Sequence, residues 1–167
     1  MSDNGVYLGN PNLKKANTPI EFTEEQVLEF LKCKDDPVYF ANNYIKIVSL
    51  DEGLTQFHPY HFQEKLINNF HENRFNICKM PRQTGKSTTV VSYLLHYAVF
   101  NDSVNIGILA NKAATARELL SRLQTAYENL PKWMQQGIIS WNKGSLELEN
   151  GSKILAASTS ASAVRGM

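Results

Sequence analysis

The stretch FNICKMPRQTGKSTTV, residues 75–90, decides the fold. Residues 75–80 are mostly apolar, interrupted by Asn76 and Lys79, and they run into a short Pro-Arg-Gln-Thr-Gly-Lys-Ser turn. A helical pattern follows, with Val90, Val91, Leu94, Leu95, Ala98 and Val99 spaced to share one face. Strand, turn and helix, with Gly-Lys-Ser at the helix start, is the setting of a phosphate-binding loop. Backbone N–H groups at a helix start have no partner within the helix and can donate to an anion. Gly85 lets the backbone approach phosphates without a Cβ. Lys86 is the telling residue, because a cation in the first turn faces the positive end of the helix dipole, a penalty of roughly 0.3–1 kcal/mol. A polyphosphate between the ammonium and the helix end removes that conflict. Ser87 would offer its hydroxyl to Mg²⁺, and Arg82 adds a second cation suited to a triphosphate. The pattern is incomplete, since Met80 stands where a Walker A loop begins with Gly.

Working outward, residues 104–110 read as a second buried strand and 113–129 as a helix. That helix carries Ala116, Leu119, Leu120, Leu123 and Tyr127 on one face, and Pro131 ends it. The β-α-β-α order predicts a parallel sheet with right-handed crossovers. Residues 145–149 alternate, Asn150-Gly151 follows, and 153–156 return, which predicts a hairpin with a type I′ turn.

Upstream, Thr23 and Gln26 form a capping box before a helix with Val27, Leu28 and Leu31 as its apolar face. Asp36-Pro37 opens a second helix lined by Phe40, Ala41, Tyr44 and Ile45. A loop with Asp51, Glu52 and Gly53 leads to His58-Pro59, which starts a third helix with Phe62, Leu66 and Phe70 stacked and Gln63 beside them. The expected organisation is a flexible leader over 1–20, a helical N-terminal region over 21–74, and a partial phosphate-loop core over 75–167.

The 167 residues, 43% hydrophobic and 20% charged, suffice for one domain with a core. A net charge of +1, with basic runs no longer than two, carries no nucleic-acid footprint. Cys33 and Cys78 are too few for a disulfide framework or zinc site, and Cys78 is expected in the core of its strand. No stretch has the length of a membrane span, and the polar start is no signal peptide. These features predict a reduced, intracellular, soluble protein.

The stretches DPVYFANNYIKIV, HPYHFQEKLI, PRQTGKST, GILANKAATARELL, WNKGSLELENGS and AVRG together resemble the N-terminal ATPase part of the large terminase subunit of T-even-type tailed bacteriophages. Such terminases often lack the first Walker A glycine and carry Arg-Gln in the loop, so the resemblance accounts for Met80. It implies a RecA-like P-loop ATPase core, with a parallel sheet flanked by helices, an additional strand, a catalytic Glu and a helical N-terminal extension. It also implies ATP and Mg²⁺ as cofactors and the driving of double-stranded DNA into a procapsid as the task. Gln63 matches the family's adenine-contacting glutamine, whose amide can pair with both edge functions of the base. Arg82 and Lys86 match the loop's catalytic cations, and Gln83, Thr84, Gly85, Lys86, Ser87 and Thr88 its nucleotide-binding residues, with Ser87 the metal ligand. Arg165 matches a candidate arginine finger that neutralises charge in phosphoryl transfer.

The resemblance further implies a portal protein, a small terminase subunit and self-association into a ring, in the host cytoplasm and transiently on the procapsid, without a membrane. The family's Asp-Glu pair is expected beyond Met167, so the chain reads as a fragment truncated before the Walker B strand. Asp102, Glu118, Glu147 and Glu149 sit at positions that do not fit those acidic roles. Two other readings stay open: a superfamily-two helicase or translocase fragment, and a non-catalytic nucleotide-binding or assembly module.

Overall fold

The computed structural model describes residues 5–49 and 51–159. Its frame is a four-stranded mixed sheet packed against two helices. The strands are β5 (Asn105–Ala110), β6 (Ile138–Trp141), β7 (Ser145–Leu148) and β8 (Lys153–Ser158), in the order β5-β8-β7-β6. Only β5 and β8 pair in parallel; β8-β7 and β7-β6 are antiparallel. The helices are α4 (Lys86–Phe100) and α5 (Ala113–Glu128), with Leu95, Leu120, Leu123 and Tyr127 fully buried between the layers. Each such side chain contributes roughly 1.5–3 kcal/mol by leaving water.

The strand expected at residues 75–80 is not formed, and the expected parallel sheet is a mixed one in which β5 and β8 are the parallel pair. No described strand pairs with the segment to take its backbone hydrogen bonds, and β5, to which α4 leads, stands at the edge of the sheet with β8 as its neighbour. An apolar run without a ladder partner has nothing to bury against. Ile77 is 101% exposed, and Cys78, expected in the core, is exposed as well. β5 itself is half-buried, with Ile106 and Ile108 inward and Leu109 facing out.

The remaining helices form a second layer: α1 (Glu24–Asp35), α2 (Pro37–Tyr44) and α3 (His61–Glu72). The Thr23–Gln26 capping box and the Asp36 cap with Pro37 in the first turn are present. The apolar faces of two helices differ from expectation. In α1, Val27, Leu28 and Leu31 are exposed, and the packed side is Phe30 and Cys33. Glu29 fixes that rotation, its carboxylate accepting from Tyr39 and Tyr44 hydroxyls at 2.9 and 2.7 Å. In α3, Gln63 and Ile67 point inward while Phe62 is half exposed. Between α2 and α4 sits a ring cluster of Phe40, Tyr93, His96 and Phe100, with His96 and Phe100 centroids 4.9 Å apart.

Two hairpins went unread in the sequence. β1 (Val6–Tyr7) and β2 (Asn10–Lys14) lie in the segment read as an aperiodic leader. Gln135 stitches this hairpin to the body, accepting from the Lys14 N–H at 3.0 Å and donating to the Asn12 carbonyl at 2.9 Å. Glu149 does the same from the other side, accepting from Lys14 Nζ at 2.9 Å and from the Asn17 and Gly137 N–H groups at 2.8 and 2.7 Å. The second, β3 (Lys46–Ser49) with β4 (Gly53–Gln56), closes around Asp51 and Glu52.

The β7–β8 hairpin forms in the expected place, but its turn is not type I′. Leu148 accepts from the Gly151 N–H at 3.0 Å and donates to the Ser152 carbonyl at 2.9 Å, leaving three residues in the loop with Gly151 alone in the left-handed region (φ +82°). A type I′ turn needs positive φ at Asn150 too. Asn150 is otherwise engaged: its amide nitrogen caps the end of α4 through the Ala98 and Asn101 carbonyls at 2.9 and 3.1 Å. Among the described residues no helix is long and apolar enough to cross a membrane.

Candidate functional site

The Gly-Lys-Ser loop keeps its position at the start of α4. Gln83 and Gly85 both lie in the left-handed region, at φ 60° and 71°, so the chain doubles back twice before the helix begins. Thr84 Oγ1 donates to the Pro81 carbonyl at 3.0 Å and tightens the turn. Gly85 is the N-cap and brings no side chain, so no side chain caps the opening N–H groups of α4. Lys86 folds back, Nζ donating to the Met80 and Pro81 carbonyls. The ammonium thereby leaves the positive helix end and finds acceptors within its own loop. Arg82 is exposed, Ser87 and Thr88 are half-buried, and none of the three has a side-chain partner among the described residues.

One wall of the site comes from α3. Gln63 is buried, its amide oxygen accepting from the Tyr60 N–H at 2.8 Å and its amide nitrogen donating to the Thr84 carbonyl at 3.3 Å. The β3–β4 hairpin supplies the opposite wall. Together they enclose a cavity of about 700 Å³ bordered by Gln63, Gln83, Thr84, Gly85 and Thr88 on one side and Ile47, Glu52, Thr55 and Gln56 on the other. Tyr60 and Phe62 add a parallel ring pair at its mouth, centroids 5.9 Å apart and planes within 11°. The hairpin is held to α2 by Gln56, which donates to the Asn42 and Ile45 carbonyls at 3.0 and 2.9 Å. The sequence carried one signal for this wall, Asp51-Glu52-Gly53 between two short apolar-polar runs. A second, apolar cleft of about 470 Å³ between β3, α4 and α5 adjoins it, sharing Ile47 and Thr88.

The acidic residues set aside in the sequence are all occupied elsewhere or distant from the loop. Glu118 pairs with Arg122 at 2.6 Å, Glu147 with Lys153 at 2.8 Å, and Glu149 with Lys14. Asp102 is exposed in the turn after α4. Glu52 is the acid that borders the cavity. Arg165 lies outside the described residues, as does most of the small-residue run that follows β8.

A family model described as the terminase large subunit, T4likevirus-type, N-terminal, matches residues 77–167, more than half of the chain. The chain belongs to the terminase large subunit family. The matched span of this terminase domain takes in the loop, α4, the mixed sheet and α5. Gln63 and the β3–β4 wall fall upstream of it. Membership makes residues 77–167 the N-terminal domain of a viral DNA-packaging terminase large subunit.

Proposed function

We propose that this terminase domain binds ATP with Mg²⁺ through the loop at residues 81–88, as part of the ATPase that drives double-stranded DNA into a procapsid. The observation that carries this reading is the uncapped start of α4, opened by a left-handed glycine and followed by Lys-Ser, on the rim of a cavity of about 700 Å³. The phosphates would take the N–H groups at the start of α4. Lys86 would exchange the Met80 and Pro81 carbonyls for phosphate oxygens, which carry full negative charge and make stronger hydrogen bonds. Ser87 would hold Mg²⁺ together with the phosphates; among the described residues no three His, Cys, Asp or Glu side chains converge as a cage of their own. Arg82 would add positive charge at the γ-phosphate, and Arg165 would act as the arginine finger, the role its family position implies. The base would lie in the cavity between α3 and the β3–β4 hairpin. The portal protein, the small terminase subunit and ring formation on the procapsid, in the host cytoplasm, complete the reading.

Titration calorimetry of Mg-ATP into wild type and Lys86→Ala tests it. At least tenfold weaker binding by the variant is expected, because removing a charged partner of phosphate loses more than ~1.4 kcal/mol. Equal heats from both proteins would sink the reading and leave a non-catalytic assembly module. Hydrolysis by residues 1–167 alone is expected to fall far below several turnovers per second, since the Asp-Glu pair that the resemblance implies for Mg²⁺ and the attacking water is expected beyond Met167. Family membership favours the packaging motor over a helicase, which shares the loop but not the matched sequence.

A further inference from the structure

We propose that the outer face of α1 is a self-association surface on which a second copy of this chain docks antiparallel, about a two-fold axis close to Leu28. α1 turns Phe30 and Cys33 to the body and leaves Val27, Leu28 and Leu31 exposed on the opposite side, Leu28 most of all at 69%. Phe22, just ahead of the helix, is exposed as well and extends the stripe. The face lies upstream of the residues matched to the terminase domain, so that match does not account for it.

Charge selects a second copy as the occupant. Glu25 and Lys32 are both exposed and lie about two turns apart on one edge of the stripe, with Leu28 between them. Lys32 is held at that edge by the Tyr39 ring, its Nζ 3.7 Å from the centroid. When two copies of one helix pack antiparallel, the same edge of each faces the other, and a residue ahead of the axis meets one behind it. Glu25 and Lys32 stand nearly equally far on either side of Leu28, so the Glu25 of each copy meets the Lys32 of the other. A parallel pair would set Glu25 against Glu25 and Lys32 against Lys32. Antiparallel docking also puts the positive end of each helix beside the negative end of the other. Such a contact closes at two copies, unlike the head-to-tail contacts that build a ring. One helical stripe buries less than the ~1,200 Å² at which standard interfaces begin, so the pair forms and parts reversibly.

Sedimentation equilibrium of the whole chain, from micromolar to near-millimolar concentration, tests it. Wild type should pass from one copy to two and no further. Leu28→Asp should stay monomeric. Glu25→Lys or Lys32→Glu alone should weaken the pair about tenfold or more, because each sets like charges opposite one another. An equimolar mixture of those two variants should pair again, and so should the double variant, since both restore opposite charges at each contact. All three positions are exposed, so urea unfolding curves should coincide with wild type apart from the effect of pairing. Wild type that stays monomeric over the whole range would overturn the proposal. A pair that Leu28→Asp leaves intact and Ile77→Asp abolishes would place the contact on the exposed run at 75–80 and overturn it too. Pairing unchanged by the single charge variants, or not restored in their mixture, would overturn the antiparallel register.

Discussion

Gly85→Ala isolates how much of the loop's stability is backbone geometry and how much is the fit under Gln63. At φ +71° an alanine meets the left-handed penalty of roughly 1–2 kcal/mol, reduced by roughly 0.4–1 kcal/mol because alanine also restricts the unfolded chain. The net from backbone alone is ~1 kcal/mol. Gly9 offers the matching control, since it has φ +77° and nothing within 4 Å of an added Cβ. At Gly85 the new Cβ would stand 2.4 Å from Gln63 Nε2, so the amide must leave and its hydrogen bond to Thr84 is lost, adding about 1–3 kcal/mol for stranded buried groups. Urea unfolding should therefore show Gly9→Ala losing ~1 kcal/mol and Gly85→Ala ~3 kcal/mol. In a Gln63→Ala background the Gly85→Ala loss should shrink to that of Gly9→Ala, a coupling of the size expected for residues in contact. Equal losses at Gly9 and Gly85 in the wild-type background would refute the close approach.

Three further outcomes follow from buried and ionisable groups. His96 is fully buried, and burial, outweighing the hydrogen bond between Nε2 and the Cys33 carbonyl, lowers its pKa to about 4. Because the folded value lies below the ordinary one near 6.5, unfolding takes up a proton between those values. Stability should be complete above pH 6.5 and fall by ~3 kcal/mol toward pH 4; denaturant midpoints at pH 7 and 4.5 check it, and His96→Asn should flatten the slope. Glu149 is pushed up by burial but held below the usual carboxylate range by its bonds to Lys14, Asn17 and Gly137. Its contribution should be present above ordinary carboxylate pH and lost as pH falls, and Glu149→Gln should cost about 1–3 kcal/mol with faster amide exchange in β1 and β2. Burial pushes the Cys33 thiol up to about 12 while Cys78 is exposed, so iodoacetamide should label Cys78 in the native protein and Cys33 only on unfolding; prompt labelling of Cys33 would contradict its burial.

Local chemistry was legible wherever a few neighbouring residues settle the outcome. The caps at Thr23 and Asp36, the Gly-Lys-Ser helix start, the inward face of α5 and the β7–β8 hairpin each depend on spacing within one element. Family-specific stretches carried the terminase identity in the same way. What the chain order could not set was which strand lies beside which. Residues 75–80 have the composition of a buried strand, yet a strand exists only through a partner's hydrogen bonds, and no described strand supplies them. Tertiary contact also chose the rotation of α1, because Glu29 answers two hydroxyls from α2, and bent the Asn150-Gly151 turn, because Asn150 caps α4 from a distance. The commitment of Gln63 to two backbone partners belongs to the same class. Spacing along a chain reports what one element can offer, whereas hydrogen bonds between elements far apart in sequence decide which of those offers is taken.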